Sequence, residues 1–282
     1  MKSRSEWRVL DLFSGIGGFS LGLERAGMTT VAFCEINPYC RAVLKKHWPE
    51  VPCYDDITTL TAERLATDGI VVDVICGGFP CQDISFAGKG GGIADGTRSG
   101  LWSEYARLIG ELRPAYVIVE NVAALLNRGL ERVLGDLAAL GLDAEWHCIP
   151  ASAIGAPHRR DRLWIVAHAV REGRPRRRNG WGKETGGRSC DEPERPSDNA
   201  EAMADANGPR LQAPWPQPHG TDLQQGGGML AANSWWRTEP NVGRVAHGVP
   251  SRVDRLRSLG NAVVPQIPEM IGRAIMEADD AP

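Results

Sequence analysis

"RVLDLFSGIGGFSLGLERAG", Arg8 to Gly27, starts as an apolar strand, passes a glycine-rich turn and continues as a helix that Gly27 closes. A strand that runs into a helix through glycines sets backbone N–H groups and a helix N-terminus at its carboxyl end, where an anionic or carboxylate group can be held. The nicotinamide fingerprint needs Gly-x-Gly-x-x-Gly. Here Gly15 and Gly17 are followed by Gly18, and position 20 is Ser20, so a dehydrogenase is disfavoured. Glu35 stands 20 residues beyond Gly15, at the end of "TTVAFCEI" (Thr29 to Ile36). From that place an acid accepts the ribose hydroxyls of a nucleoside cofactor. "YDDI" adds Asp55 and Asp56 at the end of a further short strand on the same edge.

Outward from this stretch, apolar strands alternate with amphipathic helices as far as about Val170. "NPYCRAVLKKHWP" is a helix with Asn37 as N-cap and Pro38 in its first position. "VPCYDDI" is a short strand and "VVDVICGG" the next; "SGLWSEYARLIGELRP" is a helix that Pro114 ends, followed by the strand "AYVIVENV". A helix over about Leu125 to Leu140 then leads to the strands "DAEWHCI" and "RLWIVAHAV". This rhythm predicts an α/β fold with a mostly parallel sheet and helices on both faces. Residues 1–170 are expected to form the cofactor-binding and catalytic domain, 171–245 an irregular region, and 246–282 a C-terminal segment, helical in its last part, that completes the first. The irregular region begins with "REGRPRRRNGWGKETGGR", seven basic residues against two acidic.

"GGFPCQDISFAGKGGG", Gly77 to Gly92, places Cys81 at the carboxyl end of a buried strand, where ligands bind in open α/β sheets. The net charge of −3 argues against a nucleic-acid partner on average, but phosphate binding depends on a local basic face. The seven cysteines are scattered, with no C-x-x-C, so neither a metal site nor a disulfide framework is indicated and a reducing cytosol is expected. No run is apolar enough to span a bilayer, and the N-terminus lacks the features of a secretory signal. The expected location is therefore cytoplasmic.

With Phe79-Pro80-Cys81-Gln82 set beside the glycine turn, the sequence resembles the DNA (cytosine-5)-methyltransferase family of bacterial and phage type. "DLFSGIGGFSLGLERAG" looks like that family's first motif, "FCEIN" and "YDDI" like its second and third, and "GGFPCQDISFAGKGGG" like its catalytic motif. "DGTRSGLWSEYARL", "YVIVENV", "PHRRDRLWIVA" and "LGNAVVPQI" follow as its fifth, sixth, eighth and tenth. The resemblance implies a Rossmann-like S-adenosylmethionine-dependent methyltransferase sheet with a small irregular target-recognition region. It also implies methyl transfer to C5 of a cytosine flipped out of double-stranded DNA.

By the same resemblance, Cys81 is the nucleophile that adds to cytosine C6, and Glu120 hydrogen-bonds N3 and the exocyclic amine. Asn121 holds the loop geometry, Arg162 contacts the base carbonyl oxygen, and Arg160 orients the site or steadies the cysteine side. For the cofactor, Phe13 packs on the adenine and Gly15, Ile16, Gly17 and Gly18 surround the methionine portion. Glu35 binds the ribose and Ile36 lies beside the adenine; Asp56 takes the adenine amino group, with Ile57 in apolar contact. Pro80 lines the sulfonium side, and Asn261 and Val263 close the pocket from behind. Gln82, Ser85, Arg98 and the run Arg176, Arg177, Arg178 are the expected DNA contacts. A monomer is expected, and a cognate restriction endonuclease is a compatible partner.

The match thins over residues 171–245, where no motif specifies a target sequence. At His158 many family members have glutamine. Three rivals stand against the main reading. An amino-methyltransferase would carry an Asp/Ser-Pro-Pro-aromatic motif where this chain has Phe-Pro-Cys. A transfer-RNA cytosine methyltransferase belongs to a branch of the same family. A non-catalytic scaffold would show losses among Cys81, Glu120, Arg160 and Arg162, and all four are present.

Overall fold

The structure, a computed structural model, describes residues 6–80, 101–169 and 251–280. The expected roles of Cys81, Gln82, Ser85, Arg98, Arg176, Arg177 and Arg178, and the reading of residues 171–245, lie outside the described residues.

Among the described residues, seven strands form one sheet in the order β3-β2-β1-β4-β5-β7-β6: β1 (Arg8–Leu12), β2 (Thr29–Cys34), β3 (Cys53–Tyr54), β4 (Val74–Gly77), β5 (Tyr116–Val122), β6 (Leu142–Pro150) and β7 (Asp161–Ala169). The first five pair in parallel, whereas β7 runs antiparallel to both β5 and β6. The strand order reverses between β1 and β4, the switch point at which α/β sheets open a crevice for ligands. The sequence leads one to expect a mostly parallel sheet, and its last two strands depart from that. Between β6 and β7 lie only a 3-10 turn (Ala151–Ile154) and a short loop, too little chain to carry a parallel crossover.

The helices are α1 (Gly18–Arg25), α2 (Pro38–His47), α3 (Ala62–Thr67), α4 (Trp102–Leu112), α5 (Leu125–Arg128), α6 (Leu130–Ala139), α7 (Arg252–Asn261) and α8 (Gln266–Asp280). Asn37 caps α2 as expected: its side chain accepts from the N–H groups of Tyr39 and Cys40, and Pro38 follows. Three details differ from the sequence reading. The strand expected over residues 51–57 is reduced to Cys53–Tyr54. An additional short helix, α3, follows Thr61, whose side chain caps it at Arg64 N–H. The helix expected over 125–140 is divided by Gly129, whose φ of 147° no helix accommodates.

Successive residues of the central strands point to opposite faces, and both faces are buried, which is why these strands read as unbroken apolar runs. Leu10, Ile75, Val117 and Val119 join Trp102, Tyr105, Leu108, Val133 and Leu137 of α4 and α6. Their neighbours Val9, Val74 and Ile118 face the other way, against Phe19 and Leu23 of α1 and Ile267, Ile271 and Ile275 of α8. The last helix of the chain thus packs on the first. Gly22 is the closest point of contact: a Cβ there would meet the Pro265 carbonyl oxygen, with Pro268 Cγ at 2.8 Å and Glu269 N at 2.9 Å. Alanine at position 22 would gain about 1 kcal/mol of helix propensity and lose about 1–3 kcal/mol to overpacking against backbone. Gly22→Ala is therefore expected to lower the urea unfolding midpoint. An unchanged or raised midpoint would contradict this packing of α1 on α8.

Candidate active site

The carboxyl-terminal parts of β1, β2, β3, β4 and β5 present most of the described residues that the sequence singled out; Arg160 and Arg162 come from just before and just inside the start of β7, and Asn261 and Val263 from the C-terminal segment. After β1 the chain turns through Phe13 to Gly18. Phe13 has a φ of 52°, Gly15 of 55° and Gly17 of 84°, an unusual path for the one non-glycine among them. A Cβ at Gly17 would lie 2.6 Å from the Trp48 ring, whereas a Cβ at Gly15 would meet nothing within 4 Å. The turn is therefore tightly packed at Gly17 and open at Gly15. Below it, Ser14 Oγ donates to the Asp11 carbonyl at 2.5 Å.

Glu35, 8 % exposed, fixes the next corner. Its Oε2 accepts the Gly15 N–H and its Oε1 the Asn37 N–H, both at 2.7 Å. One carboxylate thus ties the β1 turn to the cap of α2. Ile36 beside it is 72 % exposed, an apolar side chain standing free at the rim. After β3, Asp56 Oδ1 accepts from Thr58 N–H at 2.9 Å and Thr58 Oγ at 2.8 Å, while Ile57 is buried in the core.

At the end of β4, Gly78 passes so close to Glu120 that a Cβ would stand 2.7 Å from Glu120 Oε2. Phe79 is buried with its ring 5.4 Å from that of Trp102, and its carbonyl accepts from Asn121 Nδ2 at 3.1 Å. This bond fixes the chain where it reaches Pro80. On β5, Glu120 lies diagonally across the ladder from Arg162, whose direct partner is Val122. Arg162 Nε meets Glu120 Oε1 at 2.9 Å. Burial raises the Glu120 carboxyl above its ordinary range, and the charges of Arg162 and Arg160 hold it back.

Arg160, at a φ of 41°, donates from Nη2 to the Ala262 carbonyl at 2.6 Å. Burial and the charge of Arg162 lower its guanidinium pKa. That bond brings the C-terminal segment to the site, and Val263 follows: a Cβ on Gly18 would lie 2.8 Å from Val263 Cγ2. Asn261 ends α7 in an exposed position, and Ile16 is half-buried in the turn.

Sequence reasoning missed Asp11. It is wholly buried beneath the glycine turn, where Oδ2 accepts from Ser20 Oγ at 2.8 Å and Ser20 N–H at 3.3 Å, and Oδ1 accepts nothing among the described residues. An acid inside the apolar run "RVLDLF" was the available signal. The described thiols also sort clearly. Burial pushes Cys34 up to about 12 and Cys53 up to about 11, and raises Cys40 and Cys76 as well, so none of the four is a ready nucleophile. These four are free.

Residues 7–202, more than half of the 282-residue chain, match the family model described as C-5 cytosine-specific DNA methylase, and the chain belongs to that family. It is 40% identical over 168 residues to the type II methyltransferase M2.BsuMI of Bacillus subtilis, covering 57% of this chain and 41% of that protein. With M.Eco47II of Escherichia coli it shares 38% over 171 residues, 58% of this chain and 40% of that one. The chain spans about two fifths of the length of these curated relatives. Among solved structures it is similar to a protein described as a DNA modification methyltransferase encoded within an Escherichia coli prophage. The TM-score there is 0.50 at 28% identity, over 58% of this chain and 47% of that one. Spodoptera frugiperda DNMT2, at a TM-score of 0.51 and 24% identity over 62% of this chain and 54% of that one, shares the fold.

The buried Asp11 gives a pH dependence. Burial lifts its carboxyl to about 8, against about 4 in an unfolded chain. Between those values the folded state keeps a proton that the unfolded state has lost, so this group's contribution to stability falls as pH rises. Comparing urea midpoints at pH 5 and pH 8 tests it: Asp11→Asn is expected to lose less stability over that interval than the wild type. The raised Glu120 acts in the same direction but is common to both proteins. Parallel profiles would show that Asp11 does not titrate in this window.

Proposed function

We propose that this protein transfers a methyl group from S-adenosylmethionine to C5 of a cytosine flipped out of double-stranded DNA. The observation that carries the reading is the convergence of Glu120, Arg162 and the Gly78–Pro80 segment on the same sheet edge as the Glu35-bound glycine turn. The described residues fit a nucleoside-containing cofactor. Gly15 opens onto space that no described side chain fills, Glu35 is fixed by two backbone donors, and Ile36 is exposed beside it. Phe13, Gly15, Ile16, Gly17 and Gly18 would hold the turn side, Glu35 and Ile36 the ribose and adenine, and Asp56 and Ile57 the adenine edge. Pro80, Asn261 and Val263 would bound the remainder. When bound, S-adenosylmethionine supplies an electrophilic methyl group.

Cytosine C5 is too weak a nucleophile to take that methyl unaided. In the proposed reaction the Cys81 thiolate would add to C6 as the C5–C6 π pair shifts to C5, and C5 would take the methyl group while the S–CH3 bond pair leaves with the sulfur of S-adenosylhomocysteine. Loss of the C5 proton to a base and expulsion of the thiolate from C6 restore the ring. Glu120 binds N3 and the exocyclic amine; a carboxyl raised by burial can share a proton with N3 as electron density shifts. Arg162 keeps that carboxyl in place and faces the base carbonyl oxygen, while Arg160 joins the site to the C-terminal segment. Residues 1–170 and 246–282 would form the catalytic domain. Residues 171–245 would read the flanking bases, their basic run meeting phosphates.

Duplex DNA carrying 5-fluorocytosine tests the chemistry, because fluorine at C5 cannot leave as a proton does. With S-adenosylmethionine present, the wild type should be trapped as a covalent adduct and Cys81→Ser should not. Glu120→Gln should form the adduct about 10²-fold or more slowly. Failure of the wild type to form any adduct, under conditions where it binds both DNA and S-adenosylhomocysteine, would contradict the reading. Trapping on a transfer RNA in place of DNA would reassign the substrate.

A further inference from the structure

We infer that Arg107 is a positioning residue for the adenine edge of the cofactor site, acting through the turn that carries Asp56. The inference rests on the proposed cofactor site and assigns a role to a residue outside every cofactor-binding position named above.

The corners of the site differ in how they are held. Glu35 follows β2, which is paired on both sides, and Glu120 lies within β5, also paired on both sides. Asp56 follows β3, a two-residue strand at the edge of the sheet. A ladder that short cannot set the direction of the residues after it. Within the turn, Asp56 Oδ1 is taken by Thr58, and the Asp56 carbonyl accepts from Thr59 Oγ at 3.1 Å. Among the described residues nothing donates to Oδ2, which leaves that atom for a ligand.

What fixes the turn comes from α4. Arg107 Nη2 donates to the Ile57 carbonyl at 2.9 Å and to the Leu60 carbonyl at 2.8 Å, spanning the turn from behind. Its Nε and Nη1 are held by Glu104 at 2.8 Å and Glu111 at 2.6 Å. Glu111 in turn accepts the Ala62 N–H at 2.9 Å, at the start of α3. Arg107 and Glu111 therefore clamp the segment from Ile57 to Ala62 at both ends. The side chains of Ile57 and Leu60 are buried, so loss of Arg107 deprives two largely desolvated carbonyls of their donor. A planar guanidinium suits this position because it serves two carbonyls and two carboxylates at once, four acceptors against the three donors of an ammonium.

The same helix backs the other corners. Tyr105 stacks on Phe13 with ring centroids 6.4 Å apart, and Trp102 packs on Phe79. A change on α4 could therefore disturb the whole site, and the test must separate that from an effect on the adenine edge.

The test measures calorimetric affinities for S-adenosylhomocysteine and S-inosylhomocysteine, which differ along one base edge: adenine carries an amine at C6 and a bare N1, hypoxanthine a carbonyl oxygen at C6 and a hydrogen on N1. Wild type should prefer the adenosyl compound about tenfold or more, since Oδ2 can accept from the amine and is repelled by the oxygen. In Arg107→Gln that preference should fall to within about threefold, and adding Asp56→Ala should reduce it no further, because both act on one contact. Arg107→Lys, which keeps the charge between Glu104 and Glu111, should show a partial loss and carries the measurement if the glutamine variant does not fold. If the variants bind both compounds more weakly but keep the full preference, Arg107 is only structural and the inference fails. If the wild type binds both compounds equally, the assignment of Asp56 fails and the inference with it.

Discussion

Carboxyl groups buried in or just after parallel strands must find hydrogen-bond donors outside their own strand, and this requirement organises the sheet edge. A buried polar group without a partner is costly, so each acid binds another element to itself. Asp11 takes both donors of Ser20 and joins β1 to α1. Glu35 takes the N–H groups of Gly15 and Asn37 and joins the β1 turn to α2. Glu120 takes Arg162 and joins β5 to the antiparallel strand β7. Glu35 and Glu120 stand at the edge of the sheet where the proposed site lies, while Asp11 is wholly buried behind them.

Two supports come from far along the chain. The C-terminal segment supplies the Ala262 carbonyl to Arg160 and the Val263 side chain to Gly18, while α8 buries Ile267, Ile271 and Ile275 against α1. Helix α4 carries Trp102, Tyr105 and Arg107 to three different corners. Each support acts on a backbone segment and leaves the chemistry to others. Among the described residues, two of the four non-glycine positions with positive φ, Phe13 and Arg160, lie in the site, where surrounding contacts hold backbone that would not otherwise be stable.

Much of this was legible in the sequence because the signals are local. The glycine turn, the Asn37-Pro38 cap and the apolar runs of β1, β4 and β5 depend on neighbouring residues, and the structure places them where the pattern does. The motif order also identified the family before any distance was known. What the sequence did not disclose depends on pairing and on long-range contact. The antiparallel direction of β7 follows from the shortness of the β6–β7 connection, and the break at Gly129 from a single backbone angle. Arg107 looks in sequence like one more helical arginine; only the fold brings it beneath the Ile57 and Leu60 carbonyls. Asp11 stands in sequence as an interruption in a strand, and its total burial became evident only once α1 was seen to cover it.

The central claim is that strand-end carboxylates, oriented by backbone donors, make the cofactor site. Glu35 tests it most directly, since its two oxygens are bonded to two N–H groups and an amide can accept from only one of them. The measurement is the affinity of S-adenosylhomocysteine for Glu35→Gln against the wild type, with circular dichroism to confirm the fold. Loss of one charge-assisted bond of about 1.5–3 kcal/mol predicts an affinity roughly 10- to 100-fold weaker. A folded variant that binds as tightly as the wild type would contradict the account.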